Sequence, residues 1–190
     1  MKKIILLLFT LVAFTAVRAQ GVDADDETNV KGIINFEANG KKYVSSKISG
    51  NIMGDLNKVA IMNIYATANT NGREQIFMVY LKNNWAFKTG KTVLGKDDII
   101  GNTAHFTENP LNVNPDDLNP PEPIAVSSDA GSFTITSASM IAKDKAHISG
   151  NFEFTGKNDN GKGVITNYAV KGNFSDLIIF CITKQVILGQ

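Results

Sequence analysis

From Ala146 to Thr155 apolar and polar residues take turns. Ala146, Ile148, Gly150, Phe152 and Phe154 fall on one side, opposed by His147, Ser149, Asn151, Glu153 and Thr155. Alternate side chains of a strand point to opposite faces, so this pattern specifies a strand with one face in a core and one in water. Val164, Thr166, Tyr168, Val170, Gly172 and Phe174 repeat it, and the GKNDNGKG run between the two is built of turn-forming residues. A helix needs apolar residues three and four apart, which this stretch lacks. Gly131 to Ser175 therefore reads as three strands and two connections of one antiparallel sheet.

Two hairpins precede it. Asn39-Gly40 is the dipeptide of a two-residue type I′ turn, whose central positions both need positive φ. That turn pairs Ala38 with Lys41 and sets Phe36 opposite Tyr43, with Ile34 on their face. Lys58–Lys82 is a second hairpin around Asn69–Arg73. Its first strand carries Ala60, Met62, Ile64 and Ala66 on one face, and its second, Ile76–Leu81, is apolar on both. Strands of that kind are usually central and covered on both sides, so this hairpin is expected at the sheet centre, with Gly131–Ser175 as an outer layer packed on it. Shorter strands are predicted at Thr92-Val93-Leu94, Ile99-Ile100 and Ala104-His105-Phe106, and a last strand within Asp176–Gln190. All five prolines lie between Asn109 and Ser128. Proline cannot donate to a ladder, so 109–128 reads as a long proline-rich loop: a lid, a partner-binding arm or a spacer. Ile48-Ser49-Gly50-Asn51 recurs as Ile148-Ser149-Gly150-Asn151, which suggests two strands of similar geometry.

The chain starts with a basic Met1-Lys2-Lys3, an apolar run over Ile4–Ala16 and small residues before Gln20. This is the pattern of a signal peptide over residues 1–19, cleaved after Ala19. The apolar run is shorter than the roughly 20 residues of a membrane span, so no transmembrane segment is expected after processing. Residues 20–30 are a flexible acidic leader, and 31–190 a single all-β domain. Three of the 19 basic residues lie in residues 1–19, leaving 16 against 18 acidic ones, a formal charge of −2. A near-neutral chain offers no field for nucleic acid. Cys181 is the only cysteine, so no internal disulfide forms. It lies in an apolar run and reads as a small buried hydrophobe.

The search for chemistry is mostly negative. The two histidines, His105 and His147, have no zinc-ligand spacing. There is no nucleophile elbow and no phosphate-binding loop. Asn158-Asp159-Asn160-Gly161 fails as a calcium loop, because Asn167 stands where a bidentate glutamate is needed. No catalytic residue, metal ligand or cofactor is expected. Trp85, Tyr65 and Tyr80 are the ligand-contact candidates, as aromatic residues near a barrel or sandwich mouth.

Phe36…Asn39-Gly40-Lys41…Tyr43 near the start, with GSFTIT, HISGNFEFTG and VKGNF near the end, resembles short exported β-rich domains of unknown function common in Bacteroidota. The resemblance implies an antiparallel β-sandwich or calycin-like β-barrel and supplies no catalytic residues. Those relatives often carry a lipoprotein cysteine after the signal, which this chain lacks. The expectation is an exported, periplasmic or extracellular, non-enzymatic binding module for a small apolar ligand or a protein partner. The alternatives are an enzyme with a site built from scattered residues, or a surface assembly or adhesion component.

Overall fold

The computed structural model describes residues 31–54, 60–83, 89–96, 101–114, 116–117, 120–142 and 144–181. The signal peptide, the acidic leader, Trp85, the Ile99-Ile100 strand and the end of the last strand lie outside the described residues. The described chain is all-β, without a helix: β1 (Lys31–Ala38), β2 (Lys41–Val44), β3 (Lys47–Gly54), β4 (Ala60–Thr70), β5 (Arg73–Asn83), β6 (Gly90–Leu94), β7 (Thr103–Pro110), β8 (Ile124–Ala142), β9 (Lys145–Asp159) and β10 (Ile165–Cys181).

The turns are where the sequence puts them. Asn39 and Gly40 have φ of 47° and 83°, and Asn71 and Gly72 of 55° and 70°. The first pair sets Ala38 opposite Lys41 and Phe36 opposite Tyr43, with the two rings 5.2 Å apart. The second closes β4 on β5 from Thr70↔Arg73 back to Ala60↔Asn83. The Asn160–Val164 turn closes on itself, its Asn160 Oδ1 accepting from the amides of Lys162 and Val164.

Pairing runs from β3 through β4, β5, β7, β8 and β9 to β10, and β10 returns to β3 through Phe180↔Asn51 and Cys181↔Ile52. The ring is therefore closed. Every pairing in it is antiparallel except that last short parallel seam. β1 and β2 extend it from β10, and β6 extends it from β8. Bulges bend β8 and β10 between Ser128/Ala130, Ile135/Ser137 and Phe174/Leu177, and extra residues of this kind increase local twist.

Three expectations change. The β4–β5 hairpin is not a covered centre with Gly131–Ser175 layered over it. Both belong to one ring and meet across its interior, where Phe77 stacks on Phe152 at 3.9 Å. The outer face of the hairpin carries half-buried Ile61 and Met78 and an exposed Tyr65. The separate last strand from Asp176 is the continuation of β10, with Asp176 at the bulge in a positive-φ conformation. The proline-rich stretch is shorter than 109–128, because β7 continues to Pro110 and β8 begins at Ile124. Pro110 sits at a strand end, where its missing donor costs little.

The inward face is aromatic. Phe36, Phe77, Phe106, Phe133, Phe152 and Phe174 are all buried. Phe133 stacks on Phe174 at 4.8 Å, and Phe36 meets Phe106 edge-on at 6.3 Å. Such pairs contribute about 0.5–1.5 kcal/mol each beyond their burial. Glycine makes the room. Gly150 lies opposite Phe174 and Gly172 opposite Phe152, and a Cβ at either would overlap that ring and a strand carbonyl. The repeated Ile-Ser-Gly-Asn segment follows the same logic, since Ile48, Gly50, Ile148 and Gly150 are all buried.

Candidate functional site

One end of the barrel gathers the Asn39-Gly40 turn, the Asn71-Gly72 turn, the connection between β7 and β8, and the β9–β10 turn. At this end the inward face stops being apolar. Along β5 the inward residues are Leu81, Val79 and Phe77, followed toward the turn by Gln75 and Arg73; along β7 they are Ala104 and Phe106, followed by Glu108. Gln75 and Glu108 are cross-strand partners. Both are buried, at 1% and 5% exposure.

The groups form a connected cluster. Arg73 Nε lies 2.7 Å from Glu108 Oε1, an ionic contact not aligned as a hydrogen bond. Tyr43 donates its hydroxyl to Glu108 Oε2 at 3.1 Å. Arg73 Nη2 donates to the Glu108 carbonyl at 3.2 Å and to the Glu122 carbonyl at 2.7 Å. The guanidinium thereby ties the proline-rich connection to the buried carboxylate. On the outside Glu122 pairs with Lys162 of the β9–β10 turn, which holds its carboxyl below the usual range.

Burial, with the Glu108 charge and hydrogen bond behind it, pushes the Tyr43 phenol up to about 12, against a smaller opposing pull from Arg73. Burial and Glu108 also raise Tyr168, whose ring lies 6.3 Å from Phe106. Tyr43 therefore stays a protonated donor at neutral pH. Both Glu108 oxygens are engaged, one by the guanidinium and one by the phenol. The arrangement therefore holds its charged and polar groups against one another.

A cavity of about 200 Å³ opens over the cluster. β2 supplies Lys41, Lys42 and Tyr43, and the β4–β5 hairpin supplies Thr70, Asn71, Arg73 and Gln75. Gln75 Oε1 is buried and has no hydrogen-bond partner. An orphaned buried carbonyl costs about 1–3 kcal/mol, so it marks a place where a donor belongs.

The sequence-predicted contacts lie elsewhere. Tyr65 and Tyr80 stand on the outer faces of β4 and β5, where Tyr65 pairs with Met78 and Tyr80 with Asn63. Trp85 is outside the described residues. His105 contacts Ser127 Oγ at 3.0 Å, and His147 contacts Asp176 at 3.0 Å. Cys181 pairs its backbone with Ile52. Among the described residues no group of three or more acidic, histidine or cysteine side chains is placed to hold a metal ion, and no helix is long and apolar enough to cross a membrane. Sequence reasoning missed Arg73 and Gln75 because it placed the turn at Asn69–Arg73 and began the apolar strand at Ile76, and it missed Glu108 because it ended the next strand at Phe106, whereas β7 runs on to Pro110. Carrying the period of two back from Phe77 would have put Gln75 and Arg73 on the core face.

No protein-family model, curated protein or solved structure matches the chain.

Proposed function

We propose that this protein is an exported, non-enzymatic binding module that takes a small polar ligand at the loop end of its barrel. The unpartnered Gln75 carbonyl in a polar cavity carries this reading. Apolar residues of similar volume often replace a buried ion pair at no loss of stability or with a gain. Arg73, Gln75 and Glu108 are thus poor choices for holding the barrel together and sensible ones for recognising something. The polar lining shifts the expected ligand from apolar to hydrogen-bonding. The Tyr43 phenol, held protonated, and the fully engaged Glu108 favour binding over catalysis.

Native mass spectrometry of protein purified from its own host tests the proposal. A small molecule should remain bound to the natural sequence and to Tyr65→Ala and Tyr80→Ala, and be absent from Gln75→Met. Loss in the two tyrosine variants with retention in Gln75→Met would move the site to the outer face.

A further inference from the structure

We infer that the ligand class is a small hydroxylated anion, a hydroxyl-bearing group with a carboxylate or phosphate at its outer end. This rests on the reading of the loop end as a binding site and goes further by naming what it takes. The first observation is the direction of the deep hydrogen bond. Tyr43 and Arg73 already occupy the two Glu108 oxygens. Among the described residues two buried side-chain atoms lack a hydrogen-bond partner: Arg73 Nε, which lies against Glu108, and the Gln75 carbonyl oxygen, which has no charge beside it to answer it and can only accept. The buried end of the ligand must therefore donate, through a hydroxyl or an N–H.

The second observation is the charge around that carbonyl. Lys41, Lys42 and Arg73 face the cavity against a single acid, Glu108. Since the Arg73–Glu108 pair is internally neutral, the two exposed lysines are left as the field at the mouth. An anionic group at the outer end of the ligand meets that field, and a cationic ligand is repelled by it. The third observation is size. About 200 Å³ falls below the roughly 300–1,000 Å³ of sites for drug-sized ligands. It fits one ring-sized unit or the end of a longer chain.

Isothermal titration calorimetry with four probes separates the parts: glucuronate, glucose 6-phosphate, glucose and acetate. At about 50 mM salt the better of the two hydroxylated anions should bind at least about fivefold tighter than glucose, with the advantage shrinking at about 500 mM as the lysine field is screened. Which of the two wins separates a carboxylate from a phosphate. Acetate, which lacks the hydroxyl donor, should bind at least tenfold weaker than glucuronate. Lys41→Gln/Lys42→Gln, changed only at exposed positions, should erase the anion's advantage over glucose. Gln75→Met should weaken all three hydroxylated probes. Equal binding of glucose and both anions, acetate binding as well as glucuronate, or anion binding indifferent to the lysine change would each overturn the inference. If no probe binds, yet host-purified protein carries a molecule that Gln75→Met loses, the ligand class is wrong and the site stands. If neither is seen, both fall.

Discussion

The middle of the barrel and its loop end use the same inward positions for opposite purposes. In the middle β5 presents Phe77 to Phe152, and β8 presents Phe133 to Phe174, ring against ring. Two residues along the same face of β5, Phe77 gives way to Gln75, and Phe106 of β7 gives way to Glu108. The backbone is continuous and the pairing unbroken across this change. What differs is that the middle is closed by stacked rings, whereas at the loop end a buried carbonyl is left without a partner. Local stability explains the first region and fails to explain the second.

Four measurements put that contrast under strain. Phe152→Ala removes the ring that bridges Phe77 and Phe133, and should cost about 3–5 kcal/mol in urea unfolding. A loss under about 1 kcal/mol would mean that the middle is not the core. Glu108→Ala leaves Arg73 facing a cavity without its anion. Because the Arg73 side chain keeps 23% exposure, the cost should be about 2 kcal/mol, below the roughly 3–5 kcal/mol of a fully buried pair. Arg73→Met/Glu108→Leu should recover most of it in the same assay, and failure to recover would give the pair a structural role. Gln75→Leu should be neutral or stabilising by about 1 kcal/mol, since it removes an unmatched polar atom. A destabilised Gln75→Leu would show that the carbonyl has a partner in the free protein.

The smallest effect is one of pH. The folded state holds the Tyr43 proton more tightly than the unfolded chain, with a pKa of about 12 against the ordinary 10. Its contribution is fully present below pH 10 and is lost as pH rises toward 12. Stability should therefore fall over that window, and the fall should be shallower in Tyr43→Phe. Equal slopes in chemical-denaturation series at pH 9 to 12 would remove Tyr43 from the cluster.

The strands were legible because their information is local. Alternation in β9 and β10, and the Asn39-Gly40 and Asn71-Gly72 turns, act over a few residues and needed no partner to be read. The closure of the ring was not, because Phe180↔Asn51 depends on how twist accumulates through the intervening strands. The candidate site was lost for a related reason. Arg73 and Gln75 are polar residues beside a turn, and turns are full of polar residues. The period of two carried back from Phe77 puts both on the inward face, and the pairing of Gln75 with Glu108 then sets them apart. Tyr65 and Tyr80 drew attention by residue type, yet alternation alone puts them on the face turned away from that of Ile64 and Val79, which are buried.

The seam between β10 and β3 has a consequence for timing. Residues 165–181 border β1, β3 and β9, so three earlier segments wait for them. The β1–β2 and β4–β5 hairpins can pair as soon as they are made, but Phe77 has no Phe152 to stack on until β9 exists. Contacts between residues far apart in the chain form slowly. A chain appearing N-terminus first would stay open, its aromatic face unshut, until β10 had emerged. The strand order that gives the finished barrel its closed wall also leaves the growing chain without that wall until its last described strand arrives.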